Sequence, residues 1–399
     1  MAVISNTKPK TIAVPHGKSS AVAVGLAVDQ SLNALRELNG AIHSNPELCF
    51  KEFQAHENIT ALLQSCGFTV EKHAFGLETS FVSQYGQGGR LVTICSEYDA
   101  LEGVGHACGH NLTAVASVAS FIGIAAALKQ SGIPRATGAF KGVDAALMVH
   151  ASSPLDNMKA AGAAAVGGRS VAIFQGVFTG EAAHAGVAPW NGINALDAAS
   201  LTYSAISMLR QQIRPTDRIN VYIKEGGRMT NIITPRSVVE VGVRSLTLAE
   251  NEKLQERVRN CFKGAAIATG CRIEFEQLMD TYADLHTNGP LCSEFTNIMS
   301  EHFDSDFNDD MSEPHISGGG SDFGNVSYEC PSLHPLFVIP TRPTDNVHGP
   351  GFARAAGEPG AFDAAIQAAK GIAILALRVL QDDDLAKRMQ EAFNADMAK

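Results

Sequence analysis

Residues 91–130 read LVTICSEYDALEGVGHACGHNLTAVASVASFIGIAAALKQ. A β-rich run, Leu91–Ser96, opens the stretch and leads into a glycine-punctuated loop crowded with ionisable side chains. From Leu112 to Gln130 the chain is apolar and alanine-rich, with the length and spacing of a buried helix. A second apolar run, Val143–His150, reads as a buried strand. Strand, helix and strand in that order predict an α/β sandwich with a partly parallel sheet, because parallel neighbours need a long crossover between them. The loop after Ser96 then leaves the C-terminal end of a strand, the edge where open α/β sheets gather their binding groups.

On the N-terminal side, Leu32, Leu35, Leu38 and Ile42 fall at helical spacing, as do Phe53, Ile59, Leu62, Leu63 and Cys66. Gly67 stops the second of these helices. Strands are predicted at Phe68–Val70 and Ser80–Tyr85, and Gly86-Gln87-Gly88-Gly89 predicts a hairpin joining Ser80–Tyr85 to Leu91–Ser96. On the C-terminal side come strand Val171–Phe178, helix Ile193–Ile213, strands Arg218–Lys224 and Ser237–Ser245, helix Ala249–Ala268 and strand Arg272–Gln277. This β-α-β-β-α-β order is the ferredoxin-like plan and reads as an inserted α+β domain. After Asn288 the pattern returns to helix, Gly-rich loop, strand Leu336–Pro340 and an alanine-rich helix, Pro359–Leu380. The predicted organisation is a disordered tail over 1–27, a split main domain over 28–170 and 279–399, and an insert over 171–278.

At 399 residues the chain has room for two domains, and 45% hydrophobic against 18% charged residues is globular composition. A net charge of −10 argues against nucleic acid or an anionic membrane surface as the main partner. No run reaches the roughly 18 consecutive apolar residues of a membrane span, and the first 20 residues lack the apolar core of a secretory signal. Eight scattered cysteines, none in a CxxC motif, read as reduced thiols of a cytoplasmic protein.

The chemistry concentrates in Ser96-Glu-Tyr-Asp-Ala-Leu-Glu-Gly-Val-Gly-His-Ala-Cys-Gly-His110. Cys108 and His110 offer a thiolate and an imidazole to a soft divalent metal. Spacing alone favours a core cysteine beside a capping histidine. A resemblance reverses that order: EYDALEGVGHACGHN resembles the signature of peptidase family M20, in its aminoacylase-1-like and amino-acid-conjugate amidohydrolase branch. Ordered matches continue through IHSNPELCFKE (42–52), FKGVDAALMVH (140–150), GEAAHAGVAPWNGINALDA (180–198), TNIITPRSVVEVGVRS (230–245), GGGSDFGNVSYECPSLHP (318–335) and VHGP (347–350).

The resemblance implies hydrolysis of an amide bond in a small N-acyl or N-aminoacyl amino acid, with one or two zinc or manganese ions, in a homodimer whose insert acts as a lid. It implies Cys108, His110, His150 and His348 as metal ligands and Asp99 as the aspartate that orients a ligand. His184 would reach the partner subunit's site and meet the scissile carbonyl, while Asn231 and Arg244 would hold the substrate carboxylate. His106 is either a support for a ligand or a loop cap, and Asp322, after the glycine run, reads as a loop stabiliser.

One expected part has no counterpart. Similar enzymes carry a Glu-Glu pair, one a general base and one a ligand, on a strand that should fall between Gly132 and Ala139. Here Ile133-Pro-Arg-Ala-Thr-Gly138 fills the gap without an acidic residue, and about twenty residues are missing relative to the family pattern. Three accounts stand: a deletion leaving either a catalytically impaired dimeric binding or regulatory protein or an enzyme of altered chemistry, a splice form or gene-model error, and takeover by Glu97 or Glu102. The third is least favoured, because proton-transfer geometry tolerates little displacement. Loss of a central strand should leave backbone groups unpaired or make neighbouring strands close up.

Overall fold

Val24 and Val28 stand one turn apart on the first helix, α1 (Lys18–Gln30), and both are fully buried. They close over Gly123, where a β-carbon would lie 3.0 Å from Val24 and 3.3 Å from Val28. Each buried valine contributes about 1.5–3 kcal/mol relative to exposure. The expected tail is therefore corrected from residue 18 onward: those residues are a packed helix, and residues 1–17 lie outside the described part of the chain. The structure, a computed structural model, describes residues 18–131, 142–154, 158–312, 314–316 and 320–398.

Helices α2 (Leu32–Ser44) and α3 (Phe53–Ser65) follow, and Gly67 ends the latter at φ +85°, a left-handed conformation that glycine adopts without strain. Next come β1 (Val70–Lys72), β2 (Phe81–Ser83), β3 (Val92–Ile94), the 22-residue helix α4 (His110–Ser131), β4 (Ala145–Leu147), β5 (His150–Ser152) and β6 (Gly162–Ala163). The expected hairpin across 86–89 does not form. Strand β2 pairs antiparallel with β1, whereas β3 pairs in parallel with β4, Val92 opposite Ala145 and Ile94 opposite Leu147. The stretch between β2 and β3 is longer than the two to five residues of a tight hairpin. It instead carries the chain into a β-α-β crossover through α4. The strand before α4 and the strand after it thus meet directly. The intervening segment 132–141, with the proposed deletion, lies outside the described residues.

The next elements are β7 (Val166–Gly167), β8 (Ser170–Thr179), α5 (Ala195–Leu209), β9 (Arg218–Glu225), β10 (Arg236–Ser245), α6 (Leu248–Thr269) and β11 (Arg272–Tyr282). The chain ends with α7 (Gly289–Phe303), β12 (Phe307–Asn308), β13 (His315–Ile316), α8 (Phe323–Ser327), β14 (Ser332–Leu333), β15 (Leu336–Val338), α9 (Pro350–Ala355), α10 (Pro359–Gln381) and α11 (Asp383–Met397).

Two compact units result. The first takes the chain up to Ala165 with Asn288–Glu313 and Cys330–Lys399; the second takes Val166–Thr287 and Pro314–Glu329. The boundaries fall at 165/166 and 287/288, against the expected 170/171 and 278/279, and 314–329 group with the insert. In the first unit β14, β4 and β3 form a parallel sheet, and β12-β6-β15-β5 a mixed one. The α/β class with a partly parallel sheet is as expected. Helices α4 and α10 are each apolar enough to cross a membrane by length and composition, and both lie mostly buried in this unit's core. In the second unit the sheet order β11-β8-β10-β9, antiparallel throughout, with α5 and α6 packed through Phe174, Phe178, Ile206, Val258 and Phe262, is the ferredoxin-like arrangement.

Candidate metal centre

Three parts of the first unit converge at the C-terminal edge of its short strands. The loop after β3 ends in Cys108-Gly109-His110, and His110 is the first residue of α4. His150 opens β5, and His348 lies in the turn before α9. The backbone holds these pieces together: His348 N donates to the Ala107 carbonyl at 2.8 Å, and His150 N to that of Pro335 at 3.0 Å. His348 adopts φ +70°, a conformation uncommon for residues other than glycine and one that tends to cluster at functional sites. Below them, Asn111 is fully buried and donates to Asn39 Oδ1 and to the Ala356 carbonyl, both at 2.9 Å, fixing the start of α4.

Donor atoms of Cys108, His110 and His150 all lie within 4.8 Å of one another. Cys108 Sγ is 3.5 Å from Nε2 of His150 and 3.5 Å from Nε2 of His348. In a tetrahedral zinc site with Zn–S about 2.3 Å and Zn–N about 2.0–2.1 Å, sulfur and nitrogen ligands stand roughly 3.5 Å apart. The spacing fits a shared ion. Ring orientation fits too. Nδ1 of His150 donates to the Ala151 carbonyl at 2.8 Å, and Nδ1 of His110 donates to Asp99 Oδ1 at 2.7 Å and to the Asp99 carbonyl at 3.1 Å. Each ring is thereby tied at Nδ1 and presents Nε2, the arrangement by which carboxylates and carbonyls aim metal-binding imidazoles.

The electrostatics carry the same message. Burial alone would raise the Cys108 thiol, but His150, His110 and His348 outweigh it and bring it down to about 4. Burial pushes His110 down, yet Asp99, Cys108 and Glu97 hold it well above the ordinary histidine range. His150 is likewise raised by Cys108 against its burial, and the hydrogen bond to Cys108 raises His348. The cluster stabilises positive charge at its centre, which a divalent cation would supply when bound. In the metal-free protein, Cys108 should remain a thiolate from neutral pH down to about 4. Its folded value lies below the unfolded one, so the stabilisation is complete above the unfolded value and disappears as pH falls through about 4. Thiolate ultraviolet absorbance, measured against Cys108→Ser, checks this; a titration midpoint in the ordinary cysteine range would refute it.

Two carboxylates flank His110. Asp99 holds Nδ1, and Glu97 Oε2 is 3.1 Å from Nε2. Burial would raise Glu97, but His110 and then His150 hold its carboxyl below the usual range. Glu102 is exposed. His106 is buried, its Nε2 donating to the Ile42 carbonyl at 3.0 Å, and burial pushes it down to about 4. It ties the loop to α2. His334, 5.9 Å from His150 between ring centres and pushed down to about 3 by burial, is a neighbour that sequence reading missed. No spacing rule marks it.

The remaining site residues lie in the second unit. His184 is exposed, and its Nδ1 accepts from Gly186 N at 3.1 Å, which leaves Nε2–H as its donor. Ala185 N donates to the Asn231 carbonyl, so His184 and Asn231 share one loop cluster. Arg244 does not join them. It sits opposite Val171 and Arg218, at the far end of β10. The eight steps from Arg236 to Arg244 span about 27 Å at roughly 3.4 Å per strand residue. Asp322 precedes α8, but its side chain does not cap that helix; its carbonyl accepts from Asn325 N.

Residues 165–269 match the peptidase dimerisation domain model of the M20 family. The chain is 32% identical over 403 residues to a Xaa-Arg dipeptidase of Mus musculus, covering 93% of this chain and 91% of that protein. It is 27% identical over 298 residues to a p-aminobenzoyl-glutamate hydrolase protein of Escherichia coli, covering 64% of this chain and 60% of that protein. Among solved structures, a dinuclear metal-binding M20 peptidase from Bacillus subtilis superposes with a TM-score of 0.60 at 19% identity, covering 89% of this chain and 99% of the other. Full-length similarity to the dipeptidase, the lid's match to the dimerisation domain and the donor cluster at the sheet edge agree: the chain belongs to peptidase family M20.

Proposed function

We propose that this chain is a metal-dependent amidohydrolase that cleaves dipeptides with a C-terminal arginine, as a homodimer with zinc or manganese. The observation that carries the reading is the convergence of Cys108, His110 and His150 donors within 4.8 Å, with His348 beside them. These four residues would hold the ion and Asp99 would orient His110. A bound divalent ion supplies Lewis acidity, polarising the amide carbonyl and making water nucleophilic near neutral pH. His184 Nε2–H would donate to the scissile carbonyl oxygen, and Asn231 and Arg244 would bind the substrate carboxylate.

Since one copy holds His184 with Asn231 at one end of β10 and Arg244 at the other, one substrate would draw on two copies. Exposed Val187, Trp190, Met229 and Ile232 around His184 support a covered lid surface. The arginine preference is supported by the dipeptidase relative. A cytoplasmic location is supported by eight scattered cysteines, none in a CxxC motif.

Residues 132–141 contain no acidic side chain where the family's glutamate pair is expected, which favours a second reading. In it the chain is a dimeric binding protein without turnover, or a splice form of an active hydrolase. Purified 399-residue protein should release arginine from aminoacyl-arginine dipeptides in the presence of zinc or manganese, lose that activity to a chelator and regain it with metal. Stoichiometric metal without turnover on these or on N-acyl amino acids would overturn the hydrolase reading for this chain. Transcript sequencing around codon 132 then separates a skipped in-frame segment from a deletion.

A further inference from the structure

Asp99 engages Nδ1 of His110, which leaves Nε2 as the nitrogen presented to the centre. Glu97 Oε2 stands 3.1 Å from that same nitrogen. Two donors bound to one ion at about 2.0–2.2 Å each lie roughly 3–3.5 Å apart, the lower end belonging to near-octahedral angles, so this spacing is compatible with a shared ion. Glu97 is placed for the task by its attachment. It lies three residues past the end of β3, where Cys95 N still bonds the Leu147 carbonyl at 2.9 Å, and two residues before Asp99. Its side chain is 20% exposed, so it faces the site rather than solvent.

We propose that Glu97 is a metal ligand, binding the same ion as Nε2 of His110 and giving the centre an oxygen donor. The inference rests on the metal-centre reading above. Cysteine and histidine alone favour soft or borderline ions; a carboxylate widens the range toward manganese. Glu97 therefore fills, from the opposite side of His110 to Asp99, a donor requirement that residues 132–141 cannot meet.

The test is metal titration of the full chain with cobalt, zinc and manganese, independent of activity. Glu97→Gln should weaken cobalt and zinc binding about tenfold or more, the scale known for disturbing even an indirect partner, and should weaken manganese further. It should also alter the visible cobalt spectrum. Glu97→Ala should show the same loss, with formate restoring part of the cobalt spectrum, a response that a folding defect would not give. Glu102→Gln, at an exposed position, should behave like the unaltered protein. Unchanged affinities and spectrum in Glu97→Gln overturn the Glu97 assignment while leaving the metal centre intact. Failure of the unaltered protein to bind cobalt or zinc overturns both.

Discussion

Replacing Cys108 by serine is expected to strip the centre of its metal. The thiolate sits 3.5 Å from two imidazole nitrogens, His150 Nε2 at the start of β5 and His348 Nε2 in the turn before α9. It therefore joins the two imidazoles at one point. Its ionised form is held by His150, His110 and His348 down to about pH 4, so the thiol itself needs no deprotonation to bind metal at neutral pH. A serine hydroxyl has no accessible anion and is a poor ligand for soft ions. Losing even the support of a ligand lowers affinity 10–100-fold, so losing the ligand itself should cost about 100-fold or more. Elemental analysis after dialysis should show metal in the unaltered protein and little in Cys108→Ser. Equal content and equal affinity in both would refute the site.

The second large effect is expected from adding one methyl group, in Gly109→Ala. Gly109 has φ +82°, and a β-carbon there would lie 2.8 Å from Ala151 Cβ and 3.3 Å from Phe352 Cε1. Both neighbours are buried, and neither is the end of a flexible chain. The left-handed conformation costs an alanine about 1–2 kcal/mol, and overpacking adds about 1–3 kcal/mol. A loss of about 2–5 kcal/mol in unfolding free energy follows. Relief of the clash must move Cys108 and His110 on one side or the start of β5, with His150, on the other. Metal affinity should fall together with stability. Denaturant unfolding and metal titration of the same sample test this; a variant as stable as the parent with unchanged metal binding would contradict the packing.

Much of the ferredoxin-like lid was legible because its parts are local. The strand and helix runs of 171–277 carry their own periodicities, and the observed elements match them within a few residues. Helix α4 was legible for the same reason. The first turns of α1 were not: Pro, Lys and Ser near the terminus mask Val24 and Val28, whose partner Gly123 is about a hundred residues away. The hairpin expected at 86–89 failed on similar grounds. Its glycines permit a turn, but whether β3 pairs backward with β2 or forward with β4 depends on a strand some fifty residues downstream.

The same division runs through the site. The sequence by itself determined the family, the order of elements in the lid, and Cys108, His110, His150 and His348 as ligand candidates, because motif spacing survives without coordinates. Only the tertiary structure decided which nitrogen of each imidazole points inward, that Glu97 shares His110 with Asp99, and that Arg244 stands a strand's length from His184 and Asn231. Spacing along a chain fixes what a residue can donate. Direction and distance are set by contacts between segments far apart in sequence, and metal chemistry depends on both.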